Sequence, residues 1–278
     1  MIDAHQHFWH PARGDYGWLS KENDTLYRQY GPIDLAPGMA KTGVAKTIIV
    51  QAAPTVEETE YLLGIADVTD NVAGVVGWVD FENPEDRKHL ERLAQHPKFK
   101  GVRPMIQDIP DTDWMLRKDV AWAYEAIVEN DLTFDALGFP IHLDNFLTLL
   151  TRFPAMRAVV DHCMKPQISK GLAASFPKWA EGISRIANET QAFCKLSGMI
   201  TEDSEDWSVG SLEPYAHHVI EAFGPNRVMW GSDWPVCRLR AEYDEWFIAA
   251  KELTSHLTDS DQSRIFDGSA REFYRIES

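Results

Sequence analysis

Cysteine is scarce in this chain of 278 residues: Cys163, Cys194 and Cys237 are the only three, and no pair has CxxC spacing. An odd, scattered set argues against a disulfide framework and fits reduced thiols in the cytoplasm. Long apolar runs are also missing. No stretch approaches the ~20 residues a membrane-spanning helix needs. The opening "MIDAHQHFWH" has neither the basic nor the apolar region of a signal peptide, so the cytoplasm is the expected compartment. Positive charge is in short supply, 27 Lys and Arg against 43 Asp and Glu, for a formal net charge of −16. That balance disfavours nucleic acid and anionic membranes as partners, and polyanionic substrates unless local arginines counter the field. No GxGxxG or P-loop follows any apolar run, which removes the usual nucleotide signals. No Ser/Gly-rich linker, charge block or repeat divides the chain, so one domain over residues 1–278 is expected.

What is present is an alternation. Apolar, β-branched runs recur at residues 1–7, 46–53, 71–79, 99–105, 133–137, 157–162, 192–198 and 227–233. Continuous rather than alternating apolar residues indicate strands buried on both faces. Between them lie helical patterns at residues 55–68, 85–96, 119–129, 145–152, 176–190, 213–223 and 242–256. The first opens with Thr55 and Glu58 in capping-box positions. Eight strand–helix units predict a single α/β domain, a (β/α)8 barrel. An open doubly wound sheet is the alternative. Long connections at 8–32, 107–118, 165–175 and 199–212 each follow a strand, which places them at the C-terminal mouth of a barrel.

The ends of these strands are unexpectedly polar. Strand one ends in His5 and His7, strand four in Arg103, strand six in Asp161 and His162, strand seven in Lys195 and Ser197, and strand eight in Asp233. A barrel gathers all its carboxyl ends around one mouth. Side chains alternate along a strand, so His5 and His7 project together while Gln6 faces away. Two imidazoles held side by side suit a divalent metal, with His162 and Asp233 as further ligands and one open position. A lone HxH is weak; HxH, DH and SD on three separate strands is far more specific.

Plainer roles exist for each residue. Asp233 in "GSDWP" suits a turn or helix N-cap. His162 suits a satisfied strand end, Arg103 a surface ion pair, and Lys195 and Ser197 a seal at the mouth. Trp9, Trp18, Trp78 and Trp234 suit rim or core packing. His10, His142, His217 and His218 read as structural, and no histidine is placed to activate Cys163 or Cys237.

"DAHQHFW", "GVRPMIQDIPDTDWML", "VVDHCMKP", "FCKLSG" and "RVMWGSDWPVC" together resemble the lactone-hydrolase branch of the amidohydrolase superfamily. That branch includes L-fucono- and L-rhamnono-lactonases, sulfomuconolactone hydrolases and 2-pyrone-4,6-dicarboxylate lactonase. The resemblance runs from Met1 to Tyr274. It implies a distorted TIM barrel in which His5, His7 and His162 match the family's histidines, Asp233 its catalytic aspartate and Arg103 its substrate-facing arginine. Members differ in metal use: some carry one zinc, others work without metal. The bridging lysine of binuclear relatives is absent, since strand four carries Arg103 and strand five Asp135, which implies one divalent metal per chain, zinc, or none. Met164 stands where glycine is expected, and Ser269 where asparagine is expected.

These readings together predict a hydrolase that opens a lactone, with Asp233, His162 and Arg103 catalytic and His5, His7, His162 and Asp233 around the metal. A neutral sugar lactone in carbohydrate catabolism is favoured over a pyrone or muconolactone-type carboxylated lactone, because two carboxylates would call for several arginines. Arg103, Gln107, Trp9, Trp18, Lys195 and Trp234 are the expected substrate contacts. A zinc-dependent decarboxylase of the same superfamily is the first rival, and a non-catalytic sugar-binding barrel the second. The sequence leaves the sugar's stereochemistry, its ring size and the oligomeric state open.

Overall fold

A computed structural model of the chain describes residues 1–277. Eight strands, β1 (Ile2–Gln6), β2 (Lys46–Val50), β3 (Val72–Gly77), β4 (Phe99–Val102), β5 (Thr133–Ala136), β6 (Arg157–Val160), β7 (Phe193–Leu196) and β8 (Val228–Trp230), form one sheet in sequence order. Every neighbouring pair is parallel. Closure between β8 and β1 rests on a bridge at Gln6 and Trp234 and on two backbone bonds, Asp233 N–H to His5 O (2.8 Å) and His7 N–H to Trp234 O (2.7 Å). The fold is a (β/α)8 barrel of the amidohydrolase kind.

The helices between strands are α1 (Pro32–Thr42), α2 (Val56–Asp67), α3 (Arg87–Leu93), α4 (Ala121–Glu129), α5 (Leu143–Arg152), α6 (Leu172–Glu189), α7 (Met199–Glu202), α8 (Val209–Phe223) and α9 (Tyr243–Leu253), followed by α10 (Asp259–Ser263) and α11 (Ser269–Phe273). Thr55 caps α2 by accepting from Glu58 N–H, as its spacing predicts. Helix α1 lies in what reads from sequence as the last part of a long connection and the segment beyond it. Pro32 at its first turn and Pro37 inside it conceal a helical pattern that Leu35 and Met39 bury.

Two apolar layers result. The inner one joins Ile2, Ala4, Ile48, Val50, Val76, Val159 and Met229 with Ala270, Phe273 and Tyr274, so the C-terminal segment plugs the floor of the barrel. The outer one fills the space between strands and helices. Each strand stops one to three residues short of its apolar run. His7, Arg103, Asp161, His162, Ser197 and Asp233 lie beyond the ladder at the rim, whereas His5 and Lys195 remain within β1 and β7.

Candidate active site at the barrel mouth

A slip in register shapes the first strand. Asp3 pairs with Thr47, but Gln6 pairs with Ile49, so three residues of β1 span two of β2. This bulge breaks strict alternation. Asp3 bonds Ser232, through its backbone N–H (2.9 Å) and hydroxyl (2.6 Å), while His5 and His7 both reach the site. Burial pushes the Asp3 carboxyl up to about 6 despite those bonds.

Four groups converge. His5 Nε2 lies 3.2 Å from His7 Nε2, and Asp233 Oδ1 lies 3.3 Å from His7 Nε2, 3.8 Å from His5 Nε2 and 3.8 Å from His162 Nε2. All four residues are buried. His7 Nδ1–H donates to the Val50 carbonyl (2.7 Å), which leaves the Nε2 lone pair facing the cluster. His162 Nδ1 meets Ser197 Oγ at 2.9 Å. Gly198 permits that approach, because a Cβ there would stand 2.6 Å from His162 Nδ1.

The backbone that presents these groups is strained. His162, Cys163, Met164 and Lys165 run in succession with φ of 52°, 51°, 58° and 48°, and Asp233 has φ of 56°. Each non-glycine residue in this region costs ~1–2 kcal/mol. The turn is held by Lys165 N–H to His162 O (2.7 Å), Trp179 Nε1–H to Cys163 O (2.7 Å) and Cys163 Sγ to Lys195 O (3.3 Å). Met164, in place of the expected glycine, therefore bears a backbone cost that glycine would avoid, and its side chain is fully buried. Ser269, in place of the expected asparagine, lies far from the mouth and donates to the Pro225 carbonyl (2.9 Å).

Beneath the histidines lies a second charged group. Lys195 Nζ, fully buried, contacts Asp161 Oδ1 (2.9 Å), Asp135 Oδ2 and His5 Nδ1 (3.1 Å). Tyr274 O–H donates to Asp135 Oδ2 at 3.0 Å. Arg103 Nη1 stands 3.6 Å from Asp161 Oδ2 and 3.5 Å from His5 Nε2, and its Nη2 donates to the Gln51 carbonyl. Lys195 can only donate, so His5 Nδ1 accepts and the His5 proton sits on Nε2, directed at the His7 lone pair. A cation at His5 Nε2 requires the other tautomer, with Nδ1–H towards Asp161 Oδ1 at 3.5 Å.

Charge states follow from these surroundings. Burial and the neighbouring Lys195 and His7 charges hold the His5 pKa well below the usual imidazole range, and burial does the same for His162. Burial would raise Asp233, but the His162 charge, the His7 hydrogen bond and the Lys165 charge outweigh it, and its pKa falls below the ordinary carboxylate value. Asp161 is likewise lowered: Lys195, His162 and Arg103 overcome its burial.

The cluster forms the floor of a cavity of about 230 Å³ lined by His7, Trp18, Ala52, Arg103, Met105, Gln107, Leu137, His162, Lys165, Asp233 and Val236. Of the expected substrate contacts, Arg103, Gln107 and Trp18 line it. Lys195 does not; it is sealed below the histidines by two carboxylates. Trp9 is fully buried and donates to the Leu26 and Arg28 carbonyls (3.2 and 2.9 Å), with its ring edge-to-face against Trp18. Trp234 faces a separate hollow of about 170 Å³ between α1 and α9. Lys165 was missed by sequence reading although it stands in "DHCMKP"; only the left-handed turn carries it over the cavity. His142 and His218 have ordinary backbone or hydroxyl partners.

Nitrogen and oxygen donors of this kind suit a zinc ion. Ligands ~2.0–2.1 Å from a tetrahedral zinc stand about 3.3 Å apart. The 3.2 Å from His5 to His7 and the 3.3 Å from His7 to Asp233 match that edge, whereas Asp233 Oδ1 stands wider, at 3.8 Å, from His5 Nε2 and His162 Nε2. His5, His7 and Asp233 form one candidate triad; His5, Asp161 and His162 form another.

The amidohydrolase family model matches residues 2–276. The chain belongs to the amidohydrolase family. It is 41% identical to an L-fucono-1,5-lactonase of Burkholderia ambifaria, over 99% of this chain and 96% of that protein. An L-fucono-1,5-lactonase of Burkholderia multivorans is 33% identical with the same coverage. The crystal structure of a Burkholderia multivorans amidohydrolase with bound zinc superposes with a TM-score of 0.93 at 32% identity, covering 99% of each chain.

Proposed function

We propose that this amidohydrolase hydrolyses a neutral sugar lactone, of the L-fucono-1,5-lactone type, to its hydroxy acid. The whole-length 41% identity to an L-fucono-1,5-lactonase carries the substrate class. The ionised Asp233 at the floor of a small cavity carries the chemistry. Arg103 supports a neutral rather than dicarboxylate substrate. Its Nη2 is committed to the Gln51 carbonyl, and a single arginine at the cavity wall falls short of the several that two carboxylates call for.

Asp233 takes a proton from water as the oxygen bonds the lactone carbonyl carbon. Arg103 and Lys165, both at the cavity wall, supply positive charge to the developing oxyanion. As the bond from carbonyl carbon to ring oxygen breaks, the protonated Asp233 returns its proton to the ring oxygen, and the products are one carboxyl and one hydroxyl. His162, fixed by Ser197, orients Asp233 from the side. A divalent metal held by His5, His7 and Asp233, with His162 adjacent, would add Lewis-acid polarisation of the carbonyl. Zinc in a relative of this fold and the tetrahedral spacing support one such ion per chain. Three unpaired cysteines support a reducing cytoplasm.

The test is acid release from L-fucono-1,5-lactone, L-rhamnono-lactone and a 2-pyrone-4,6-dicarboxylate, followed by pH indicator. Turnover of the neutral sugar lactones above the dicarboxylate is expected. Turnover of the dicarboxylate alone, or release of CO2 from an aromatic acid instead, would overturn the reading.

A further inference from the structure

A larger groove adjoins the reaction cavity. It encloses about 760 Å³ and shares Trp18 and Met105 with the cavity as common walls. Four mouth connections build it: the one after β1 brings Trp18, the one after β2 Pro54, the one after β3 Trp78 and Phe81, and the one after β4 Pro104, Ile109 and Trp114. The partition is fixed, because Trp18 Nε1–H donates to the Ala52 carbonyl at 2.7 Å and Trp9 backs its ring. Trp18 is nonetheless 40% exposed, the one aromatic among the exposed large apolar side chains of the described residues.

The groove has about three times the volume of the reaction cavity. The groove floor is aromatic and aliphatic, so it gains from desolvating an apolar group. Its rim carries Asp15, Asp80, Glu82, Asp108 and Asp111, while Arg117 is committed to Glu82 (2.8 Å) and to Asp119. Such a rim rejects an anionic group. We propose that the groove is an extension subsite for a neutral apolar substituent carried on the lactone ring, so that the enzyme also opens alkyl-substituted lactones. The ring is placed by the reading of the previous subsection; the tail is placed by the groove alone.

The experiment uses δ-lactones with methyl, propyl, pentyl or heptyl at the carbon next to the ring oxygen. kcat/KM is measured on the wild type, and Kd on Asp233→Asn by tryptophan fluorescence. Each methylene that enters the groove should raise kcat/KM and tighten Kd about two- to fourfold, as transfer of CH2 from water predicts. Ile109→Asp, outside the reaction cavity, should flatten both series while turnover of L-fucono-1,5-lactone is kept. Ile109→Ala, milder to the loop, should reduce the slope. A flat series with active enzyme overturns the groove reading. Affinity that climbs with chain length while no lactone is hydrolysed keeps the groove and overturns the lactonase reading. A slope unchanged in both Ile109 variants also overturns the groove, since the tail would then lie elsewhere.

Discussion

His7, His162 and Asp233 face a cavity, with His5 packed against them; Asp135, Asp161, Lys195 and Tyr274, directly below, do not reach it. Both groups are buried and both are built from side chains that ionise. The lower group closes on itself, with one ammonium between two carboxylates and a phenol against one of them. In the upper group His7 Nε2 and Asp233 Oδ1 turn lone pairs towards a common centre, which His5 Nε2 joins only in its other tautomer. Burial alone therefore does not distinguish a working site from a support. What distinguishes them is whether the charges are answered within the protein or left for a ligand.

The sharpest break in this comparison is at Asp233. Asp233→Asn keeps the shape and removes the proton acceptor, so kcat on the best lactone should fall ~10²–10⁴-fold. Metal content is measured on the same sample. A folded, metal-replete variant with near wild-type kcat would assign water activation to another group.

Lys195→Met attacks the lower group. Two carboxylates lose their shared cation, and breaking such a pair costs ~3–5 kcal/mol. Urea unfolding should show that loss. A midpoint within error of wild type would mean that Asp135 and Asp161 are answered some other way.

Metal addition tests the upper group without mutation. Zinc at 100 times its Kd should stabilise the protein by ~2.7 kcal/mol, read as a higher Tm than after chelation. The His7→Ala variant should lose most of that shift, and Lys195→Met should keep it. An equal shift in the His7→Ala variant would place the ion elsewhere.

A further buried carboxylate, Glu58, sharpens the contrast through pH. Glu58 accepts from Ala52 N–H (2.9 Å), and burial pushes its pKa up to about 8. The native state thus holds a proton that the unfolded chain releases near its ordinary value. The linkage sign is negative: stability from Glu58 is full at low pH and is lost as pH rises through about 8. Glu58→Gln keeps the acceptor oxygen and cannot ionise. Between pH 6 and 9 the wild type should lose ~1–3 kcal/mol more than the variant. Parallel stability curves would show that Glu58 is already ionised at neutral pH.

The smallest effect is expected at Trp18, on the cavity wall. Trp18→Ala should raise KM for a small sugar lactone a fewfold and leave kcat nearly unchanged, since the indole contacts ground and transition state alike. A fall in kcat equal to that in kcat/KM would give Trp18 a role in the reaction itself.

The strands were legible because strands buried on both faces need unbroken apolar runs, and the eight runs mark them. Their ends were not, because the runs continue into rim residues after the ladder stops. The convergence of His5, His7, His162 and Asp233 was legible because a barrel gathers its strand ends at one mouth. Lys195 looks the same in sequence, and only register separates it: it pairs with Met229, deep in the barrel. Trp9 and Trp234 were misplaced because their partner Tyr30 arrives from a connection with no periodic signal. The bulge in β1 has no sequence mark at all.

The order in which the chain is made bears on the sealed floor. His5 is made more than two hundred residues before Asp233, and Tyr274, which bonds Asp135, is made later still. N-terminal segments ordinarily begin to fold during synthesis. Here the first strand has no closing neighbour until β8 appears, and Lys195 with its two acids stays wet until the final plug arrives. A nascent chain stalled before residue 228 therefore holds His5, His7 and His162 but lacks Asp233 and the strand that closes beside β1, so the His5, His7 and Asp233 centre forms only on a longer chain.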